Sequence, residues 1–305
     1  MTCPFNDIAY LSGLSNIGTP EMAEHGALAV LKRAVRGSGH YDGVGPWPYL
    51  WVESPRDLEV LREGFRHLVT LTVVTQPGYV HPVQGGDTSF LKHHFVYDPA
   101  LPAPVMSRRT RTRIARCEAR ATFRPITDVG RRMACLALYR RLLQRRGLTG
   151  CYVDFPDDHF QGLASLEAGV FFEVVDADGP GAFSCGVVFN GILQVLHMAS
   201  SDEGLRWDAS YLLMKGMQEH ARSNRLRLMT GGMPDTGSPG LRQFKRKWAN
   251  THEPVYIMKI INDAALYHGL CNGVLRSSRY FPGYRATAGL AAMGGPDASL
   301  PGGPF

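Results

Sequence analysis

Apolar positions recur in two rhythms along this chain, and the rhythms alternate. In residues 21–36, Met22, Leu28, Leu31 and Val35 fall on one helical stripe behind Thr19-Pro20, which predicts a helix with proline in its first turn, ended by the glycine-rich residues 37–45. Residues 48–53 then predict a short strand. Residues 55–66 predict a helix with Leu58, Leu61 and Phe65 inward, and residues 68–75 a β-branched strand. A turn over 84–89, a strand over 91–97 and a proline-rich break over 99–104 complete the first region.

The second region repeats the alternation. Thr110, Ile114, Cys117 and Ala121 make one stripe of a helix over 107–120, and Met133, Leu136, Leu138, Leu142 and Leu143 one of a longer helix over 129–146, with arginines on the outward faces of both. A further helix is expected over 156–166. Residues 170–176, 183–189 and 192–198 read as an antiparallel meander whose Asn190-Gly191 pair is a strong hairpin signal. A helix over 207–223, a strand over 226–229 and a strand over 255–261 follow. This strand–strand–strand–helix–strand order is similar to the core of the GNAT acyltransferases.

Composition limits the function classes. A chain of 305 residues, 44% apolar and 20% charged, is that of an ordinary globular protein with one large or two ordinary domains. No run approaches the roughly 18 apolar residues of a membrane span, and the first residues lack the basic-then-apolar order of a signal peptide, so a cytoplasmic enzyme is expected. The six cysteines are scattered without a C-x-x-C or paired histidine spacing, which predicts buried thiols and neither a disulfide framework nor a metal site. Charge is uneven: residues 107–146 hold thirteen arginines and no lysine against two acids, Glu118 and Asp128. Such a local field attracts phosphate-bearing partners, nucleic acid or anionic lipid, unless the arginines are simply a solvated face.

The segment from Gly231 to Trp248, GGMPDTGSPGLRQFKRKW, carries the most chemistry. Its glycines and prolines let a backbone approach a ligand closely, and the Lys245, Arg246, Lys247 run behind them suits an anion or a developing oxyanion. Leu241, Phe244, Lys245, Arg246 and Trp248 resemble the L-x-x-F-K-R-x-F/W signature of the FemABX-type aminoacyl-tRNA-dependent transferases, preceded by a strand ending in Gly-Gly and a nearby Asp235. The segment SRRTRTRIARCEA at 107–119 is similar to a basic helix of that family, and Tyr41-Asp42-Gly43 through Pro46-Trp47-Pro48-Tyr49 to its pocket turn. The likeness covers roughly residues 40 to 262.

The resemblance implies an α+β fold of two tandem GNAT-like domains, mixed sheets flanked by helices: residues 1–104, with 264–285 packing back on them, and 105–262; the small-residue, glycine- and proline-rich composition of 286–305 predicts a disordered tail. It implies transfer of an amino acid from charged tRNA to a free amine of a peptide or peptide-like intermediate, as in small antibiotic-pathway members, with aminoacyl-tRNA as co-substrate and no other cofactor. Lys245, Asp235 and His197 are then the catalytic candidates, with Asp208 a second possible base. Trp47, Tyr49, Phe244, Arg246 and Trp248 are substrate-binding candidates, and Arg108, Arg109, Arg111, Arg113, Arg116 and Lys247 would hold tRNA. Bland readings compete residue by residue: Phe244 and Trp248 as core aromatics, Lys245 as a solvated lysine, His197 as a satisfied structural histidine.

The main competitor is an acetyl-CoA-dependent N-acyltransferase. Those enzymes hold a pyrophosphate on backbone N–H groups at a helix start through a glycine-rich loop. Here the corresponding residues, Ser200 to Ala209, contain one glycine and three acids. A peptidoglycan-type nucleotide-sugar acceptor is not supported either, because residues 146–155, RGLTGCYVDF, do not match the grip that such members carry.

Overall fold

A computed structural model describes residues 3–23, 28–80, 88–233, 239–271 and 281–286. The helices are α1 (Ile8–Ser12), α2 (Pro55–Gly64), α3 (Arg108–Glu118), α4 (Val129–Arg146), α5 (Asp157–Ser165), α6 (Asp202–Arg206), α7 (Ala209–Ser223), α8 (Pro239–Arg246) and α9 (Ala264–Leu270). The strands are β1 (Thr19–Met22), β2 (Ala29–Ala34), β3 (Tyr41–Val44), β4 (Thr70–Val74), β5 (Thr88–Tyr97), β6 (Thr122–Pro125), β7 (Gly169–Asp176), β8 (Gly179–Phe189), β9 (Ile192–Ser200), β10 (Arg227–Met233) and β11 (Thr251–Ile261). The protein is a mixed α/β structure. The chain forms two compact units, one of Met1–Lys92 with Pro254–Gly303 and one built on His93–Glu253. The proline-rich break at 99–104 lies inside the second unit.

In the first unit the strands run in the order β1-β2-β3-β4-β11. In place of the helix expected over 21–36, the described residues form β1 and β2, paired antiparallel from Thr19↔Lys32 to Met22↔Ala29. Leu28, Ala29, Val30 and Leu31 are all buried, and a short apolar run covered on both faces suits a strand as well as a helix. Pairing of β2 with β3 decides the matter, overriding local preference. The strand expected over 48–53 reduces to one bridge, Leu50 to Thr75. Sequence and structure agree on α2, started by a Ser54/Asp57 capping box, and on β4. Leu50, Val52, Leu61, Phe65, Leu71, Val73, Met258 and Ile260 form the core.

Residues 281–286 close on this same unit. The carboxylate of Asp42 on β3, fully buried, accepts from Arg33 Nε at 2.8 Å, Arg285 Nε at 2.5 Å and the Tyr284 hydroxyl at 3.2 Å. Two guanidiniums and a phenol supply the charge and donors that an isolated buried carboxylate would lack.

The second unit has the order β5-β10-β9-β8-β7-β6, with β6 to β9 a continuous antiparallel meander. The predicted hairpin holds: Asn190 and Gly191 have φ of 49° and 71°, the positive values a tight two-residue turn requires. Strands β9 and β10 run parallel and pair only from Ile192↔Arg227 to Gln194↔Met229, after which β10 continues against β5. One face of the sheet carries α3 and α7, whose Ile114, Leu213 and Met217 share a core with Leu193, Val195, Leu228 and Trp248. Helix α4 matches the expected bounds, capped by Asp128 at its start and by Gly147 with φ 58° at its end. Strand β6 and helix α6 have no counterpart among the expected elements. No helix among the described residues is long and apolar enough to cross a membrane.

Candidate functional site

Helix α8 turns the FKR motif in two directions. Lys245 is 3% exposed, Arg246 is exposed and Lys247 half-buried. The solvated-lysine reading of Lys245 is therefore replaced: its side chain is buried, and lysines are rarely kept out of water without compensation. Trp248 is a core residue, 1% exposed, whose carbonyl accepts from Gln218 Nε2 at 2.7 Å. Phe244 packs on that core, 5.5 Å from the Tyr211 ring and 6.2 Å from Trp248. Asp235 and the rest of 234–238 lie outside the described residues.

The basic helix and the FKR helix meet on one tyrosine. Tyr211 of α7 is buried, and its hydroxyl accepts from Arg113 Nη1 of α3 at 2.7 Å and from Lys247 Nζ at 3.4 Å. Both cations also lie over its ring, at 5.1 and 5.7 Å from the centroid. No sequence signal singles out Tyr211. It sits almost 100 residues from Arg113, and only folding brings them together.

Ion pairing sorts the arginines of 107–146. Arg124 and Arg131 both bind Glu173, a carboxylate 1% exposed; Arg120 pairs with Asp176 and Asp178, Arg140 with Asp157, Arg145 with Asp202. Arg113 is bridged to Asp208 at 3.3 Å, and Arg111 donates to the Met106 carbonyl at 2.8 Å. Among the described residues Arg108, Arg109 and Arg116 on α3, with Arg246 and Lys247 on the α8 side, have no carboxylate partner. Arg109, Arg113 and Arg116 follow i, i+4, i+7 spacing and form one stripe.

His197 is fully buried on β9, inside a box of Tyr139, Phe155 and Phe160 with ring centroids 4.7, 5.3 and 5.1 Å away. Its Nε2 stands 3.0 Å from Nε2 of His159 on α5, also buried. Burial holds His159 down to about 3, and burial with the neighbouring His159 holds His197 well below the ordinary histidine value. Both imidazoles are thus neutral, and one must donate where the other accepts. No motif points to His159; its place beside His197 is set by the packing of α5 on the sheet.

In the first unit, Trp47 is half-buried with its carbonyl accepting from the Tyr10 hydroxyl at 2.9 Å, and Tyr49 is 4% exposed. The turn is pinned further on, where Gln76 exchanges two hydrogen bonds with the Val52 backbone at 3.0 and 2.6 Å.

The segment that precedes α7 is acidic and tightly packed. Residues 202–206 form α6, with Asp202 and Glu203 in its first turn, and Asp208 caps α7 in the left-handed region at φ 64°. A Cβ on Gly204 would meet the Gly181 carbonyl oxygen at 1.8 Å, and one on Gly181 would meet the Trp207 ring at 2.2 Å. Three acids and a closely packed Gly204 thus precede α7 in place of a glycine-rich turn, and the acids oppose an anion there.

No protein-family model matches the chain, and no curated protein matches its sequence. Solved structures do share its fold. FemX superposes with a TM-score of 0.59 at 11% identity, over 85% of this chain and 92% of that one. The C-terminal domain (DUF2156) of a protein assigned as a lysylphosphatidylglycerol synthetase, from Agrobacterium fabrum, gives 0.58 at 14% identity over 87% and 91%. L-PGS from Bacillus licheniformis gives 0.53 at 13% over 84% and 88%. At these identities the likeness is one of fold.

Proposed function

We propose that this chain transfers an aminoacyl group from charged tRNA to a free amine of a peptide or peptide-like small molecule. The observation that carries the reading is the convergence on Tyr211, which puts the stripe of α3 beside the helix that bears Lys245. The shared fold with FemX supports it, as does the acidic, tightly packed segment before α7, which disfavours the acetyl-CoA alternative. On this reading the protein is built of two GNAT-like domains and acts in the cytoplasm, where charged tRNA is found.

In the reaction the acceptor nitrogen attacks the ester carbonyl, a C–N bond forms, and the C–O bond to the terminal ribose breaks. The amine loses a proton and the ribose hydroxyl gains one, so no protein base is obligatory. Lys245 stabilises the oxyanion between these events, in a setting where water cannot compete for it. Arg109, Arg116 and Lys247, free of carboxylates, engage phosphates, while Arg113 holds the array together through Tyr211 and Asp208.

A Lys245→Ala variant is expected to lose roughly 10²–10³ in turnover, the usual cost of removing one oxyanion donor, and to keep its tRNA affinity. Titration with charged tRNA and with acetyl-CoA at two salt concentrations separates the alternatives. Salt-sensitive tRNA binding without CoA binding supports the proposal; tight CoA binding without tRNA binding replaces it with an ordinary N-acyltransferase.

A further inference from the structure

Lys92 on β5 belongs to the first unit and lies outside every motif of the sequence. It is half-buried, and among the described residues it has no ion pair and no hydrogen bond. Burial alone holds its amine down to about 8. An ammonium that gives up water without a counter-ion is destabilised, and the cost is recovered when an anion arrives.

The surroundings describe what that anion is attached to. Strand alternation puts Phe90 and Lys92 on the same face of β5. Phe90 is 51% exposed, and its ring stands edge-on to Tyr256 of β11 at 6.3 Å. Tyr256 in turn meets Tyr79 edge-on at 6.4 Å. Phe90 and Tyr256 thus make an aromatic shelf, open at Phe90 and backed by the buried Tyr79, next to a cation that has no partner among the described residues.

We infer that Lys92, with Phe90 and Tyr256 backed by Tyr79, forms a binding site for a small molecule that carries one anionic group, carboxylate or phosphate, next to an aromatic or apolar moiety. Naming that molecule as the acceptor rests on the transfer reading above; the anion site itself does not. For the acceptor it means a free acidic terminus beside an apolar side chain, with the reacting amine elsewhere. An acid-base role for Lys92 is the competing use of the same amine. It differs in requiring the neutral form, whereas the anion site requires the ammonium.

The chain has six lysines, so reductive ¹³C-methylation of the full-length protein gives a short set of resonances, and Lys92→Met identifies one of them by its disappearance. The probes are N-acetylphenylalanine, its amide, phenyl phosphate and inorganic phosphate. The expected result is a rise of at least one unit in the Lys92 titration with N-acetylphenylalanine and none with the amide. Linkage then makes N-acetylphenylalanine bind up to about tenfold more tightly at pH 7 than at pH 9. An equal rise with phenyl phosphate also supports the site and assigns it to phosphate-bearing ligands as well.

No rise with any anion overturns the inference, and so does a rise with inorganic phosphate as large as with phenyl phosphate, since the shelf would then contribute nothing. Lys92→Met should bind charged tRNA as the parent does. Anion binding by a protein that neither binds nor uses charged tRNA would end the transfer reading and leave the anion site standing.

Discussion

Acidification tests the buried histidine pair directly. His159 and His197 are neutral in the folded protein, and each regains an ordinary pKa near 6.5 when the chain unfolds. Below pH 6.5 the unfolded chain therefore binds protons that the native one refuses, and stability falls as pH falls; above about 7.5 the pair contributes no pH dependence. At pH 5 the linkage amounts to about 2 kcal/mol per histidine, or about 4 kcal/mol for the pair, against a typical total of roughly 5–15 kcal/mol. The groups facing the pair do not confuse the range, because burial pushes Tyr139 of α4 and Cys185 of β8 upward, away from it. Urea unfolding at pH 5.0, 5.5, 6.0 and 7.5 reads the effect. The parent protein should become less stable by about 2.4 kcal/mol from this pair between pH 6 and 5, and His197→Gln or His159→Gln by about half of that. The slope matters rather than the absolute stability, which either substitution also lowers by disturbing the aromatic box. Equal slopes in the parent and both variants would refute the argument.

Charge and packing supply further tests. Replacing Arg109, Arg116 and Lys247 by Gln should weaken tRNA binding at all sequences and lower the slope of log K against log salt by about 0.7–0.9 for each phosphate no longer neutralised, whereas Arg120→Gln, whose partner is Asp176, should leave the slope unchanged; filter binding from low to moderate salt checks both. Gly204→Ala should cost about 3 kcal/mol and lower the melting temperature by roughly 6–12 °C, because its Cβ would press on the Gly181 carbonyl and only backbone can yield. Gly269→Ala, which meets nothing within 4 Å in α9, should not destabilise, and the same melting measurement reads it.

The features legible in the chain alone are local ones. The stripes of α2, α3 and α4, the period-two meander and the Asn190-Gly191 turn each follow from spacing within a few turns or one hairpin. The distribution of arginine is legible too, and so is the anomaly of the FKR segment. Long-range packing settles the rest. It makes β1 and β2 an antiparallel pair, because an apolar run takes its conformation from the strands that cover it. It separates the arginines that neutralise Glu173 and Asp176 from those left for a partner, since a linear count of charge cannot see which carboxylates the fold will bring near. It encloses Lys245, sets His159 against His197 and Tyr211 beneath Arg113 and Lys247, and leaves Lys92 beside an aromatic shelf. Each of these depends on residues far apart in the chain, and hydrophobic periodicity specifies which face is buried but not what it will be buried against.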